Sequence, residues 1–439
     1  MLFYVILLAS FALSSCRQRG GTAETAKSEP TPPRPVVAPP TATATSAAEV
    51  VTLMAPPTTL AAPETTQPPD IPPDLGYLRA ALDASLQAFD GIAAYYVRDL
   101  RRGQVASFNG DVPISGMSMV KIAVLVETYR VLGQPPDHSQ SKLITETATL
   151  SSNYGANLLM EFVAGTPDPY LGAQRVTESM RRLGLYDTFI AVPYDLEPDP
   201  RYFATYATPA NQSAELNTNP DSSMQTTVDD MGRLLTLIFD CSMGQGYLLQ
   251  VFRDSITPGE CREIIDVMAH NNIDAFVEEG VPPGIPVAHK HGWVAETHGD
   301  AAIVELPGSP YVLVVALHRP GWLEWAESTQ IIAQLSRLTY AHFADPNAYS
   351  PATLQHDPPP LPAIAPTPDL PTAVVDDTGG AGLVLHQSPE GAEIMILPEG
   401  SLVFLLDGVA TEVGGQPWRQ IRLLNDVTGW VVADFLKVQ

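Results

Sequence analysis

Two proline-rich stretches divide this chain and limit what each part of it can fold into. Thirteen prolines fall between Pro30 and Pro73, and nine between Pro346 and Pro371. Proline fixes φ and removes a backbone donor, and neither stretch carries a periodic apolar face, so neither can build a core. Residues 17–74 read as a disordered Pro/Thr/Ala-rich tether, and residues 346–378 as a Pro-rich linker. They isolate a body, 75–345, and a smaller C-terminal piece, 379–439. The formal net charge is −25. With no basic stripe to neutralise phosphates, nucleic acid is excluded as a partner, and so is attraction to anionic lipid.

Ahead of the tether, Met1 to Ser15 is an apolar run that ends in Leu13-Ser14-Ser15-Cys16. Small residues before a cysteine resemble the bacterial lipobox, which implies a signal peptide over 1–16 and lipidation of Cys16. No Lys or Arg precedes the run, a departure from the usual signal. About 14 apolar residues are too few to span a bilayer, where about 20 are expected. The expected location is therefore extracytoplasmic, anchored to a membrane by lipid. Cys241 and Cys261 remain. Export permits a disulfide between them, and two buried thiols fit the sequence equally well.

The body opens with a helical pattern from Leu75 to Phe89, followed by a strand at Ile92–Val97. Arg101–Gln104 reads as a hairpin turn before Val105–Phe108. Helical patterns dominate from 118 to about 270. Two strands, Ala301–Leu306 and Tyr311–Ala316, flank a Pro307-Gly308-Ser309-Pro310 turn, and a last helix runs from Trp325 to Phe343. Strands at both ends with helices between predict an α/β (α+β) fold: an antiparallel sheet whose first and last strands meet, with an inserted helical subdomain.

Within that frame, Ser118-Met119-Val120-Lys121 lies where a loop enters an apolar helix. Ser and Lys three apart at a helix start share one face, which suits a lysine that takes the serine proton. The pattern is common by itself, and Ser139-Gln140-Ser141-Lys142 repeats it. Ser151-Ser152-Asn153 supplies a hydroxyl to relay a proton and an amide to bind a substrate amide. In Lys290-His291-Gly292, a lysine precedes a glycine that lets substrate approach the backbone.

The order S-x-x-K, S-x-N, K-x-G resembles the penicillin-recognising serine hydrolases, class A β-lactamases in particular. Ser151 to Leu159 looks like that family's S-D-N-x-x-x-N-L-L segment, and Thr226 to Leu235 like its T-T-P-x-x-M-x-x-L-L helix. Asn109-Gly110-Asp111 and the strand from Asp300 to Val304 fit as well. The resemblance implies that Ser118 is the acylated nucleophile and Lys121 its proton acceptor. Ser151, helped by Lys290, would pass the proton to the leaving nitrogen. Asn153 would hold the substrate amide carbonyl, and the oxyanion hole would be the backbone N–H groups of Ser118 and Trp293, next to Gly292. It implies a β-lactam or a D-Ala-D-Ala-type peptide as substrate, and no cofactor. The pair Ser139 and Lys142 begins only 12 residues ahead of Ser151, too close for the intervening helix and turn.

The departures matter as much. The Asp of S-D-N is Ser152. The segment from Lys121 to Ser151 is short, which would open one rim of the cleft. The hydroxyl of K-T-G is replaced by His291, expected to donate a hydrogen bond and to make binding pH-dependent. His289, His291 and His298 come with no cysteine or carboxylate ligand pattern, so no metal is expected. In Ser213-Ala214-Glu215-Leu216-Asn217 a serine stands where the family has its deacylating Glu. Glu215 and Glu197 are the candidate replacements. A missing base predicts an acyl-enzyme that forms and persists.

Residues 379–439 carry short strands and turns. Leu397-Pro398-Glu399-Gly400 and Thr428-Gly429-Trp430-Val431 resemble bacterial SH3-like domains, small barrels with Trp418 or Trp430 in the core, for which peptidoglycan is the expected ligand. Three functions remain open at this level: a β-lactamase-type serine hydrolase with slow turnover, a penicillin-binding DD-peptidase-like wall enzyme, and a catalytically decayed wall-binding scaffold.

Overall fold

The computed structural model describes residues 75–345, 348 and 370–439, save 214 and 407. The expected signal peptide, Cys16, the expected tether and most of the expected linker lie outside the described residues. The strand Tyr311–His318 (YVLVVALH) is a continuous apolar run, and all eight residues are buried. Such a run needs cover on both faces, which places it inside a sheet flanked by two layers. The sheet is antiparallel, in the order Val105–Phe108, Ile92–Asp99, Tyr311–His318, Thr297–Val304, Val287–Trp293. The first long strand meets the last, with Ile92 opposite His318 and Asp99 opposite Tyr311.

Alternation along these strands makes two cores. Tyr95, Val97, Leu313, Val315 and Leu317 face the outer helices, Leu75–Leu86 and Trp325–Ala344, through Leu78, Leu82, Ile332 and Leu335. Their neighbours Ala94, Tyr96, Val312, Val314 and Ala316 face the helical insert. In that insert, the helices Val228–Ser242 and Pro258–Met268 are joined by a disulfide between Cys241 and Cys261, which resolves the alternative left by the sequence.

A second, three-stranded sheet is built from Ile114–Ser115, Met224–Thr226 and Phe189–Ile190. Strands this short have no readable period, so the sequence does not announce them. They matter because they tie the approach to Ser118 to the base of the long loop between 190 and 224.

The C-terminal strands pair in the order Glu393–Leu397, Leu383–His386, Thr428–Val432, Gln416–Arg422, Leu402–Leu405, Thr372–Val375, Leu436–Val438. Thr372–Val375 falls inside the stretch assigned from sequence to the linker, so the module begins before 379. Proline density misled there, because Pro371 stands just ahead of an apolar strand. Trp418 is buried in this module, and Trp430 is half-buried.

The module packs on the body. Leu402 belongs to the body's core and Tyr186 to the module's core. The rings of Tyr247 and Phe404 meet edge to face at 5.3 Å. The Arg182 guanidinium lies against Gly400, where a Cβ would come within 2.6 Å of Nη2. A double-mutant cycle of Tyr247→Ala and Phe404→Ala, read by chemical denaturation, is expected to give a coupling of about 0.5–1.5 kcal/mol. Additive effects would mean that the two surfaces do not pack in solution.

Candidate functional site

Ser118 stands at the end of a loop in which Met117 holds a positive φ of 49°. The chain then tightens through i to i+3 bonds, from Lys121 N to Ser118 O and from Ile122 N to Met119 O, before the helix Lys121–Leu132 begins. Every residue from Lys121 to Tyr129 is buried. Helix geometry therefore carries the Lys121 side chain into the interior, at 0 % exposure.

There the amine has dense company. Nζ lies 3.0 Å from Ser118 Oγ, 2.6 Å from Ser151 O, 2.6 Å from Asn153 Oδ1 and 3.3 Å from Ser151 Oγ. The Tyr194 ring covers it, centroid to Nζ 4.4 Å. Burial lowers the Lys121 pKa to about 7; the charge of Lys290 pushes the same way, and Asp195 pulls back. A neutral amine has two N–H groups and one lone pair. The two oxygens at 2.6 Å are carbonyl-type acceptors and take the two N–H groups. Charged, Nζ donates to Ser118 Oγ; deprotonated, its lone pair can accept from the Ser118 hydroxyl.

Ser151 reaches this point only through a strained backbone, with φ at +55°. Side chains other than Gly adopt that region at a cost of roughly 1 kcal/mol or more. Ser152 accepts from Gly155 N at 2.9 Å and so caps the helix Asn153–Ala164. Ser152 thus makes a local structural bond. Asn157, in the same motif, clamps the long loop: its Nδ2 donates to Tyr194 O at 2.8 Å, and its Oδ1 accepts from Tyr194 N at 3.1 Å. The Tyr194 hydroxyl donates to Met117 O at 2.9 Å. Next to it Asp195, again at positive φ, accepts from Asn153 Nδ2 at 2.9 Å.

Lys290 comes from the edge strand Val287–Trp293 and is buried; burial lowers its pKa to about 8 against the pull of Asp300. Gly292 is dictated by close approach: a Cβ there would sit 2.7 Å from Ser118 N. Trp293 follows, exposed at the cleft mouth. His291 departs from expectation. Its ring packs near Phe276 and Asn271, with Nδ1 3.4 Å from Asn271 Nδ2. Burial, together with Lys290, lowers its pKa to about 4, so it is neutral through the range in which a histidine switch would act. Below it, His289 Nδ1 lies 2.9 Å from Asp300 Oδ2, and Nε2 lies 3.0 Å from Asn271 O.

The structure thus brings Ser118, Lys121, Ser151, Asn153 and Lys290 together, with Gly292 and Trp293 alongside. Glu215 and Glu197 are not in the group; both are exposed, and neither lines the cleft. The carboxylates that do line it are Asp195 and Asp221. Asp195 lies two residues before Glu197, and choosing Glu over Asp on chemical type alone passed it by. Tyr194 gave no motif signal. The rival pair behaves as ordinary surface: Ser139 is exposed, and Lys142 pairs with Glu146 at 3.8 Å one turn away. Among the described residues no His, Cys, Asp and Glu group is arranged to hold a metal.

A model of the beta-lactamase enzyme family matches residues 130–343. That span includes Ser151, Asn153 and Lys290 and begins after Ser118 and Lys121. Similar solved structures include PBP-A, at 20 % identity over 62 % of this chain and 98 % of that chain, TM-score 0.47. A beta-lactamase from Sphaerobacter thermophilus DSM 20745 is 17 % identical over 62 % of this chain and 97 % of that one, TM-score 0.45. The TLA-3 extended-spectrum beta-lactamase is 15 % identical over 61 % and 98 %, TM-score 0.46. No curated protein matches the chain.

With the Lys121 pKa near 7, the base form grows as pH rises. The rate at which Ser118 takes up an acylating reagent, followed by intact mass, should rise through pH 7 and fall again above about pH 8, where Lys290 loses its charge. Lys121→Ala should lower the maximum about a hundredfold or more. A rate flat from pH 5 to 9 would remove Lys121 as the base.

Proposed function

We propose that residues 75–345 are a serine hydrolase of the class A β-lactamase type, acylated at Ser118 by β-lactams and slow to release the acyl group. The observation that carries this is the position of Lys121 Nζ, buried and 3.0 Å from Ser118 Oγ, with its pKa lowered to about 7 by burial. In the proposed cycle Ser118 Oγ attacks the lactam carbonyl carbon and its proton passes to Lys121 Nζ. The developing oxyanion is held by the N–H groups of Ser118 and Trp293. Ser151 Oγ, 3.3 Å from Nζ, hands the proton to the leaving nitrogen as the C–N bond breaks, and the charge of Lys290 favours that transfer. Asn153 holds the substrate amide carbonyl.

Release needs a carboxylate to activate water, and Asp195, which lines the cleft, is assigned that role. Support for a slow step comes from Tyr194, whose ring occupies the space against Lys121, and from Asp195, whose carboxylate is engaged with Asn153. A long-lived acyl-enzyme is the behaviour of a penicillin-binding protein. A DD-peptidase-like wall enzyme, acting on peptides ending in D-Ala-D-Ala, is therefore the second reading. In both readings the chain is an exported lipoprotein held by Cys16, with the C-terminal module, SH3-like, directed to peptidoglycan.

Incubation with benzylpenicillin should add one penicilloyl mass to the wild type and none to Ser118→Ala, and the adduct should persist for minutes or longer. Absence of an adduct together with no nitrocefin turnover would leave the scaffold reading. Residual nitrocefin hydrolysis should fall about tenfold or more in Asp195→Asn. It should be unchanged in Glu197→Gln and Glu215→Gln. Loss in either Glu variant with Asp195→Asn active would overturn the assignment of the water-activating group.

A further inference from the structure

Between the body and the C-terminal module lies a cleft of about 580 Å³, within the 300–1,000 Å³ range of small-ligand sites. Arg181, Tyr186 and Pro209 line it from the body, and Ile394, Met395 and Ile396 from the module. It is separate from the Ser118 cleft, with which it shares no lining residue.

Its module wall is a sheet edge. The strand Glu393–Leu397 ends the strand path and, among the described residues, pairs only with Leu383–His386. The register of this strand shifts at Glu393, and the consecutive residues Glu393 to Ile396 all line the cleft. The cleft thus runs along the last strand of the sheet, whose outer edge has no strand partner among the described residues and can take another strand. Ile396 is 54 % exposed there, an unusual position for a large apolar side chain on an edge.

Its body wall supplies one cation. The Arg181 guanidinium stacks on the Tyr206 ring at 4.7 Å and, among the described residues, has no hydrogen-bond acceptor or ion-pair partner. It is half-buried, and burial pulls its pKa down with no carboxylate to restore it. The planar fork of Arg fits a carboxylate with two parallel bonds. Glu393 on the opposite wall and the chain's net charge of −25 disfavour a polyanion such as a polyphosphate.

We infer that this cleft binds the carboxylate end of an extended peptide, which adds a strand to Glu393–Leu397 and sets its terminal carboxylate on Arg181. The edge strand provides affinity through main-chain bonds that do not depend on sequence. Arg181 sets direction and requires a free acid, and Ile394 and Ile396 favour apolar side chains. The site is independent of acyl transfer at Ser118.

The test uses the full chain and two probes, acetyl-Val-Thr-Val-Ala with a free carboxylate and the same peptide as its amide, titrated calorimetrically to millimolar concentration. The acid should bind about tenfold or more tighter than the amide. Arg181→Gln should erase that preference, and Ser118→Ala should retain it, which separates this cleft from the Ser118 site. Ile396→Pro, which removes an edge donor, should weaken both probes. A melting scan checks that Arg181→Gln is folded; if it is not, Arg181→Lys, which keeps the charge and loses the fork, should reduce the preference several-fold. Equal binding of acid and amide, no binding of either, or a preference undiminished in the Arg181 variants would overturn the proposal.

Discussion

The buried amine of Lys121 is the constraint on which the site depends. A lysine at 0 % exposure in an apolar helix is costly as an isolated charge. The fold meets this cost in two ways: it lowers the pKa to about 7, and it surrounds the nitrogen with oxygens. Those oxygens come from remote segments. Ser151 O and Asn153 Oδ1 belong to the junction before one helix, and the Tyr194 ring belongs to a loop some 40 residues farther along. Each segment is held in place by another bond, Asn157 to Tyr194 and Tyr194 to Met117. The Ser118 loop, the Ser151 junction and the long loop therefore close around one nitrogen, and a shift in any of them changes its proton affinity.

Strain is concentrated at the same place. Met117, Ser151 and Asp195 are all non-glycine residues at positive φ, and they lie immediately before Ser118, over Lys121 and beside Asn153. Such conformations persist only when surrounding contacts overdetermine them. The contacts are present: the Asn157 clamp, the Ser152 cap and the three-stranded sheet at the loop base.

How much of this the sequence carries depends on how local the cause is. Sheet strands such as Tyr311–His318 are legible because a buried strand requires an apolar run. The meeting of Ser118 and Lys121 is legible because helical spacing brings residues three apart together. The role of Gly292 is legible in kind, and only the structure shows that its missing Cβ makes room for Ser118 N. Asp195 and Tyr194 are not legible, because their placement is decided by Asn153 and Asn157 across about 40 positions of chain. His291 illustrates the same limit. Its position in the motif suggests a group facing substrate, yet the pocket of Phe276 and Asn271 accepts its ring. Strands of two or three residues, such as Ile114–Ser115, fall below any periodic signal.

The edge strand that carries Lys290 solves an electrostatic problem of its own. Asp300 is buried one strand away, opposite His291 in the register, and an unpaired carboxylate there would attract the Lys290 ammonium. His289 prevents this. Its Nδ1 faces the Asp300 carboxylate and its Nε2 faces the Asn271 carbonyl oxygen, so both ring nitrogens meet acceptors. Only the imidazolium, with two N–H donors, satisfies both. Burial opposes that charge, but Asp300 and the two hydrogen bonds outweigh it and the pKa ends above its usual value, while that of Asp300 ends below its own. On an alternating strand, His289 and Lys290 point to opposite faces. The pair neutralises Asp300 on the far face, and the charge of Lys290 is left to act on the near face, on Lys121 and on whatever occupies the cleft.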